Sequence, residues 1–234
     1  MSVKTGYIPY FSREIRSFGE TGPSEIPADA KKSYFFFKRC FDLVLSLFVI
    51  VGVLSWILPL LGLLIKLDSV GPVFFLQKRI GKGGRRFTCY KLRTMVLNQE
   101  ADECPASEDD QRITRVGKFL RKSHLDELPQ FFNVLLGSMS IVGPRPYMPA
   151  DWRRFSVLVP EYTFRNAVKP GITGLAQVKG LHGPVTDIST IYLRCHCDRY
   201  YIRNAGFLFD LRILRRTVIL FPEIVVNLRD NTSI

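Results

Sequence analysis

The sequence predicts an α/β domain, a small irregular sheet with amphipathic helices, carried on one N-terminal membrane helix. Three observations predict it. From Leu43 to Ile65 no charge interrupts LVLSLFVIVGVLSWILPLLGLLI, longer than the ~18 residues that mark a membrane-helix candidate. The stretch FTCYKLRTM alternates as a strand does, with Phe87, Cys89, Lys91 and Arg93 on one face and Thr88, Tyr90 and Leu92 on the other. Beyond Asp126, the residues Leu128, Phe131, Phe132 and Leu135 recur at i, i+3, i+4 and i+7, the apolar stripe of an amphipathic helix.

Taken in chain order, residues 1–33 mix Pro, Gly, Ser and both charges without periodicity and read as a mobile leader. Residues 34–67 are the membrane helix. Lys31, Lys32, Lys38 and Arg39 precede the apolar run, and Lys66, Lys78, Arg79, Lys82, Arg85 and Arg86 follow it. Both ends are therefore cytoplasmic by the positive-inside rule. Pro59 lacks a backbone donor and crowds the carbonyl four residues back, so the helix should break or kink near Leu58. A first arm of about 16 residues covers roughly 24 Å of a hydrocarbon core about 30 Å thick. A re-entrant helix, its freed carbonyls met by Ser55 or neighbouring backbone, and a kinked single span both fit these residues.

Residues 68–234 form the cytosolic domain. Gly71-Pro72 makes a turn into an apolar strand; the loop GKGG then lacks the Lys-Ser/Thr ending of a nucleotide-binding loop and reads as a hairpin turn. Residues 97–112, acidic and irregular, are an exposed linker without calcium-loop spacing. ITRVGKFLRKSHL follows as an amphipathic helix bearing Lys118, Arg121 and Lys122, and residues 207–221, mixing apolar and basic positions, suit either a membrane-surface helix or a buried one. The net charge of +12 beside 47% hydrophobic residues points to polyanionic partners, whether anionic lipids, nucleic acid or phosphorylated substrates. Five irregularly spaced cysteines exclude a disulfide framework and favour a reducing compartment, and the CHC at 195–197 has no second cluster to complete a metal site.

The chemistry concentrates in HLDELPQFFNVLLGSMSIVGPRP. Asp126 is placed as N-cap, Glu127, Leu128 and Pro129 fill the first turn, and Gly137 closes the helix. Both carboxylates then sit at the positive end of the helix dipole and stay ionised. GPRP holds Arg145 on a stiff backbone, VKPGITG supplies Lys169, and Lys91, Arg93 and Arg121 add further cations. Such a set suits phosphoryl transfer, in which cations stabilise the phosphoryl oxygens while a carboxylate attacks phosphorus or holds magnesium.

From Lys38 to Thr217 the chain resembles the bacterial sugar transferases of the small monotopic phosphoglycosyl transferase type. The resemblance lies in KRCFD, GPVFFLQKRIG, FTCYKLRTM, RVGKFLRKSHLDELPQFFNVLLGSMSIVGPRP, VKPGITGLAQVKG and DRYYIRNAGFLFDLRIL, in that order. It implies a re-entrant helix broken near Pro59, and a monotopic protein on the cytoplasmic face of the bacterial inner membrane. It also implies transfer of a sugar 1-phosphate from a UDP-sugar to a polyprenyl phosphate, with Mg2+ and release of UMP, initiating capsule, exopolysaccharide or O-antigen assembly. Asp126 would be the nucleophile and Glu127 would hold magnesium. Lys91, Arg121 and Arg145 would surround the phosphates and uridine, and Asp198 matches a motif acid. Ser55 stands four positions before Pro59 where the family often has Ser-Pro, and Leu175, Lys179 and Ala205-Gly206 also depart from its pattern. The rival reading, a non-enzymatic membrane-anchored binder of anionic lipid or nucleic acid, accounts for the charge but not for the acidic pair, and no aromatic-basic RNA motif is present, so no nucleic-acid partner is expected.

Overall fold

The computed structural model describes residues 28–97, 110–159, 162–181, 183, 185 and 187–230. Most of the leader, most of the acidic linker and Cys104 lie outside the described residues.

Helical backbone runs without interruption from Ala28 to Asp68: α1 (Ala28–Val49), a π-helical stretch (Ile50–Leu54) and α2 (Ser55–Asp68). The irregularity therefore falls one turn or more before Pro59 rather than at Leu58. Within the π stretch the Ser55 amide reaches back to the Ile50 carbonyl, and the Ser55 hydroxyl donates to the Val51 carbonyl. Widening the helix ahead of the proline is a known way to relieve the crowding that its ring imposes, and π turns are a recognised origin of kinks.

Both arms of this helix pack on one domain. Phe41 and Leu45 of α1 join a core with Cys89, Val134, Met139, Ile141, Val142, Tyr201 and Ile213. Leu61 and Ile65 of α2, flanked by Ile57 and Leu58, join Leu92 and Leu120 in a second core. Polar contacts fasten α1 further. Asp210 accepts from Lys38 Nζ at 2.6 Å, from the Tyr34 hydroxyl at 2.9 Å and from the Tyr201 hydroxyl at 2.9 Å, while Asp42 accepts from the Ile141 amide at 3.1 Å. A buried carboxylate with this many donors is held in place because losing any one of them would leave it under-solvated.

The expected irregular sheet resolves into two separate two-stranded pieces. β1 (Phe74–Ile80) and β2 (Arg86–Leu92) form an antiparallel hairpin closed by the Lys82–Gly84 turn, in which Gly83 and Gly84 take positive φ. β3 (Ser140–Val142) and β4 (Gly171–Thr173) pair in parallel. There the backbones approach so closely that a Cβ on Gly171 would stand 2.1 Å from the Gly143 nitrogen, so only glycine fits. This contact seats GPRP against VKPGITG.

The remaining helices are α3 (Arg115–Lys122), α4 (Gln130–Leu135), α5 (Pro149–Leu158), α6 (Leu175–Val178), α7 (Ile188–Arg203) and α8 (Phe207–Asp230), with single 3₁₀ segments at Leu125–Glu127 and Tyr162–Ala167. α8 is buried along one face and exposed along another. Asp210 and Ile213 are buried in the domain, whereas Phe207, Leu208, Val218 and Ile219 are exposed. α4 departs from the expected stripe: its buried positions are Gln130, Asn133 and Val134, and Leu135 is exposed. The reason is Asn133, whose side chain accepts from the Tyr90 amide at 2.8 Å and donates to the Thr88 carbonyl at 2.7 Å. Its amide completes the edge of β2, and that rotates the helix inward.

Candidate active site

The acidic pair does not sit as a cap and first turn of α4. His124 adopts a left-handed conformation at φ 54°, and Leu125–Glu127 form a 3₁₀ turn in which the Glu127 amide bonds the His124 carbonyl at 3.2 Å. Pro129 then precedes α4. A left-handed histidine is uncommon, though histidine tolerates the region better than β-branched residues. It turns the chain sharply after α3, so that both carboxylates are buried rather than splayed along a helix face. Gly137, at φ 86°, ends α4 as its position predicts.

Glu127 is the ionic centre. Lys91 Nζ lies 2.7 Å from its Oε1, Arg145 Nη2 2.8 Å from the same atom, and Arg145 Nη1 3.2 Å from Oε2. Although burial opposes ionisation, these two cations hold the Glu127 carboxyl well below the usual range, and the same pairing raises Arg145. Asp126 differs. Among the described residues its side chain has no ion pair or hydrogen bond, and burial pushes it up to about 6, with Glu127 adding to the rise while Lys91, Arg121 and Arg145 oppose it. The two carboxylates thus differ in how they are held rather than in charge at neutral pH: Glu127 is clamped as an anion, and Asp126 takes up a proton as pH falls toward about 6.

Beside Glu127, Arg79, Cys89, Lys91, Gln130, Arg145 and Pro146 line a small open cleft, and Asp126 is not among the residues that line it. A second, of about 260 Å³, lies across Arg145 and is bounded by Tyr147, Trp152, Arg165 and Asn166 among others. Arg121 flanks Asp126 and donates through Nε to Thr94 Oγ1 at 2.8 Å.

Three residues expected among the phosphate-binding groups are placed elsewhere. β2 ends at Leu92, so the alternation that would set Arg93 beside Lys91 stops. The Arg93 guanidinium instead donates to the carbonyls of Ser69, Val70 and Pro72 and to Ser69 Oγ, closing the chain after α2. Lys169 lies against Gly137, at the far end of α4 from the pair. Asp198, on α7, is fully engaged by Arg165, whose Nε is 2.8 Å from Oδ2. Arg165 also stacks over the Tyr147 ring at 4.5 Å and donates to the Arg145 carbonyl at 3.0 Å. Asp198 therefore supports the backbone of GPRP through Arg165 rather than facing the cleft.

Reasoning from sequence missed Arg79, Arg165, His124 and Asn133. Arg79 had a signal. The hairpin register pairs it with Phe87, two residues from Cys89 and four from Lys91 on the same face. Its Nη1 donates to the Pro146 carbonyl at 3.1 Å, its buried Nε has no partner, and no carboxylate neutralises it among the described residues.

The chain is similar to known proteins. The family Bacterial sugar transferase matches residues 33–222. The chain belongs to this family. Relatives of the bacterial sugar transferase include a UDP-N-acetylgalactosamine-undecaprenyl-phosphate N-acetylgalactosaminephosphotransferase of Aeromonas hydrophila, 43% identical over 79% of this chain and 43% of its own. Another is the exopolysaccharide production protein PSS of Rhizobium leguminosarum bv. phaseoli, 44% identical over 78% of this chain and 93% of its own. A UDP-glucose:undecaprenyl-phosphate glucose-1-phosphate transferase of Escherichia coli is 42% identical over 77% of this chain and 39% of its own. The chain thus matches nearly the whole Rhizobium relative but less than half of the other two. The acidic pair, the basic cleft and the apolar run from Leu43 to Ile65 all lie within the matched region.

Proposed function

We propose that this sugar transferase moves a sugar 1-phosphate from a UDP-sugar to a polyprenyl phosphate, in two displacements at Asp126, on the cytoplasmic face of the bacterial inner membrane. The observation that carries the reading is the unequal pair: an unpartnered aspartate beside a glutamate that gathers two cations. A carboxylate oxygen of Asp126 attacks the phosphorus bearing the sugar. The bond from that phosphorus to the bridging oxygen breaks, and UMP departs with the electron pair. A phosphate oxygen of the polyprenyl phosphate then attacks the same phosphorus, and Asp126 leaves as a carboxylate. Lys91, Arg79 and Arg145 offset the charge of the diphosphate, and the charge of Arg121 favours the ionised form of Asp126.

Mg2+ fits the donor set in one mode. Among the described residues no three side chains of metal-binding type converge, so the ion would be held by Glu127, with Asp126 adjacent, and by substrate phosphate oxygens, as magnesium commonly is. When bound it would neutralise charge on the diphosphate. Glu127 would first have to release part of its contact with Lys91 and Arg145.

The membrane seat follows from the packing of the helix. A spanning helix needs about 20 apolar residues clear of the domain. Here the stretch between the domain contacts of Leu45 and Ile57 is about 11 residues, or roughly 16 Å. This supports a re-entrant helix that bends at the π stretch ahead of Pro59, with residues 1–33 as leader, 34–67 as the membrane element and 68–234 as the catalytic domain. The exposed Phe36, Phe37, Phe48, Trp56 and Leu60, with the outer face of α8, supply the apolar surface that lipid would cover.

The deciding experiment is a single-turnover assay. With a UDP-sugar and magnesium but no acceptor, the enzyme should release UMP in an amount near its own concentration and carry a phosphosugar on the peptide containing Asp126. Release that needs the acceptor, with no adduct at any time, would point to direct attack by the polyprenyl phosphate. A panel of UDP-sugars in the same assay names the donor.

A further inference from the structure

A second group of cations lies away from the acidic pair. Arg39 and Phe35 are one turn apart on α1 and share a face. The Arg39 guanidinium donates to the carbonyls of Val134 at 2.7 Å and Leu135 at 3.1 Å, which fixes it at the C-terminal end of α4. Lys169 approaches the same point. A Cβ built on Gly137 would meet Arg39 Nη2 at 3.4 Å and Lys169 Nζ at 3.7 Å. Lys82, in the hairpin turn, lies over the Phe35 ring at 5.9 Å. None of the three is paired with a carboxylate among the described residues, and the nearby Asp42 is already engaged by the Ile141 amide.

Like charges gathered in this way repel one another, and among the described residues only the α4 carbonyls bound by Arg39 and the more distant Asp42 offset them. Burial lowers the pKa of Lys169, and Arg39 and Lys82 lower it further, against a smaller opposing pull from Asp42. An external anion would remove that strain. Its nature is indicated by the surroundings: Leu135 and Leu136 are exposed beside Gly137, and Phe36 and Phe37 project from the adjoining turn of α1. The anion therefore meets an apolar surface. The acidic pair lies ahead of the N-terminal end of α4 and Gly137 past its C-terminal end, and the six residues between span about 9 Å, too far for one phosphate to touch both sites.

We propose that Arg39, Lys82 and Lys169 bind the phosphate of an anionic phospholipid headgroup, at a site separate from the catalytic pair, that sets the depth and orientation of the domain on the membrane. The fixed guanidinium gives a directed anchor, and the two ammonium groups close around the remaining oxygens. From the proposed function this takes only that α1 lies in a membrane.

The test measures retention of phosphatidylglycerol and of phosphatidylcholine by the full-length protein in neutral detergent, using native mass spectrometry. Lys82→Gln with Lys169→Gln is compared with a charge-matched control, Arg153→Gln with Arg154→Gln, exposed on α5. Arg39 is left intact because it also caps α4. The wild type should retain phosphatidylglycerol in preference to phosphatidylcholine. At about 1 kcal/mol for each basic residue near an anionic lipid, the Lys82/Lys169 variant should bind it about tenfold or more less tightly with an unchanged melting temperature, and the control should match the wild type. Equal loss in both variants would reduce the effect to general surface charge and overturn the site. So would an unchanged preference in the Lys82/Lys169 variant, or a wild type that holds both lipids equally. A variant that keeps its phospholipid but shows a raised KM for polyprenyl phosphate would assign the cluster to the acceptor instead. A wild type that retains neither lipid would count against the membrane reading itself.

Discussion

At the residue scale, Asp126 and Glu127 are adjacent in sequence yet opposite in electrostatic character, because among the described residues one lacks a partner and the other has two. Between about pH 4 and 6 the native state binds a proton at Asp126 that the unfolded chain has released, so stability falls as pH rises across that interval. Above it, ionised Asp126 is a constant cost to the fold. Asp126→Asn should therefore raise the melting temperature at pH 7, by up to about 2 kcal/mol of stability, while abolishing the UMP burst. In the wild type, kcat/KM for the UDP-sugar should decline on the acid side with an apparent pKa near 6. A profile flat down to pH 5 would remove Asp126 as the group that must be ionised. Glu127 has the reverse sign: its contribution is complete above the unfolded pKa and is lost only as pH falls through its lowered folded value. Glu127→Gln leaves Lys91 and Arg145 without their anion and should cost about 1–3 kcal/mol, discounted for the partial exposure of Arg145. If Glu127 also holds magnesium, the variant should need more of it for half-maximal rate; a purely structural glutamate would lower stability without moving that requirement.

At the element scale, the 3₁₀ turn and α4 take their orientation from the left-handed backbone of His124 and the side chain of Asn133. Asn133 is wholly buried and bridges α4 to the β2 edge at Tyr90 and Thr88. Replacing it with leucine keeps the volume but strands a buried amide and a buried carbonyl. Asn133→Leu should cost about 2 kcal/mol or more by denaturant titration, and since β2 carries Lys91, activity should fall further than stability alone explains. A variant as stable as the wild type would show that the edge of β2 finds water instead. The hydrophobic periodicity of this helix is real, yet the most buried positions follow the hydrogen-bonding demand of the strand beside it.

For the whole molecule, the long apolar helix and the domain that follows it are one packed unit. Asp210 ties α1 to α7 and α8 through Lys38, Tyr34 and Tyr201, and the two arms of the long helix rest on two cores of the same domain. A single cysteine introduced at Ser33, and another at Lys118 on α3, in a background without the exposed Cys40, should both react only with reagents that reach the cytoplasm. Labelling of Ser33→Cys from the periplasmic side would establish a spanning helix and refute the re-entrant reading. Asp210→Asn should loosen α1 from the domain and increase aggregation outside detergent, because the buried ammonium of Lys38 would lose its carboxylate.

The apolar run, the β1–β2 hairpin, the helix closed at Gly137, the acidic pair and the stiff GPRP segment were all determined by the sequence itself, since each depends on neighbours within a few residues: a period, a turn glycine, a proline. The tertiary structure alone decided which cations meet the pair. Lys91 reaches Glu127 across 36 positions and Arg165 reaches Asp198 across 33, while Arg93 turns to the backbone after α2 and Lys169 lies at the far end of α4. It also decided that Asp126 titrates near 6 and that the helix yields at the π stretch rather than at Pro59. Ion pairing and desolvation depend on distance and burial between segments remote in the chain, and no local pattern carries that information.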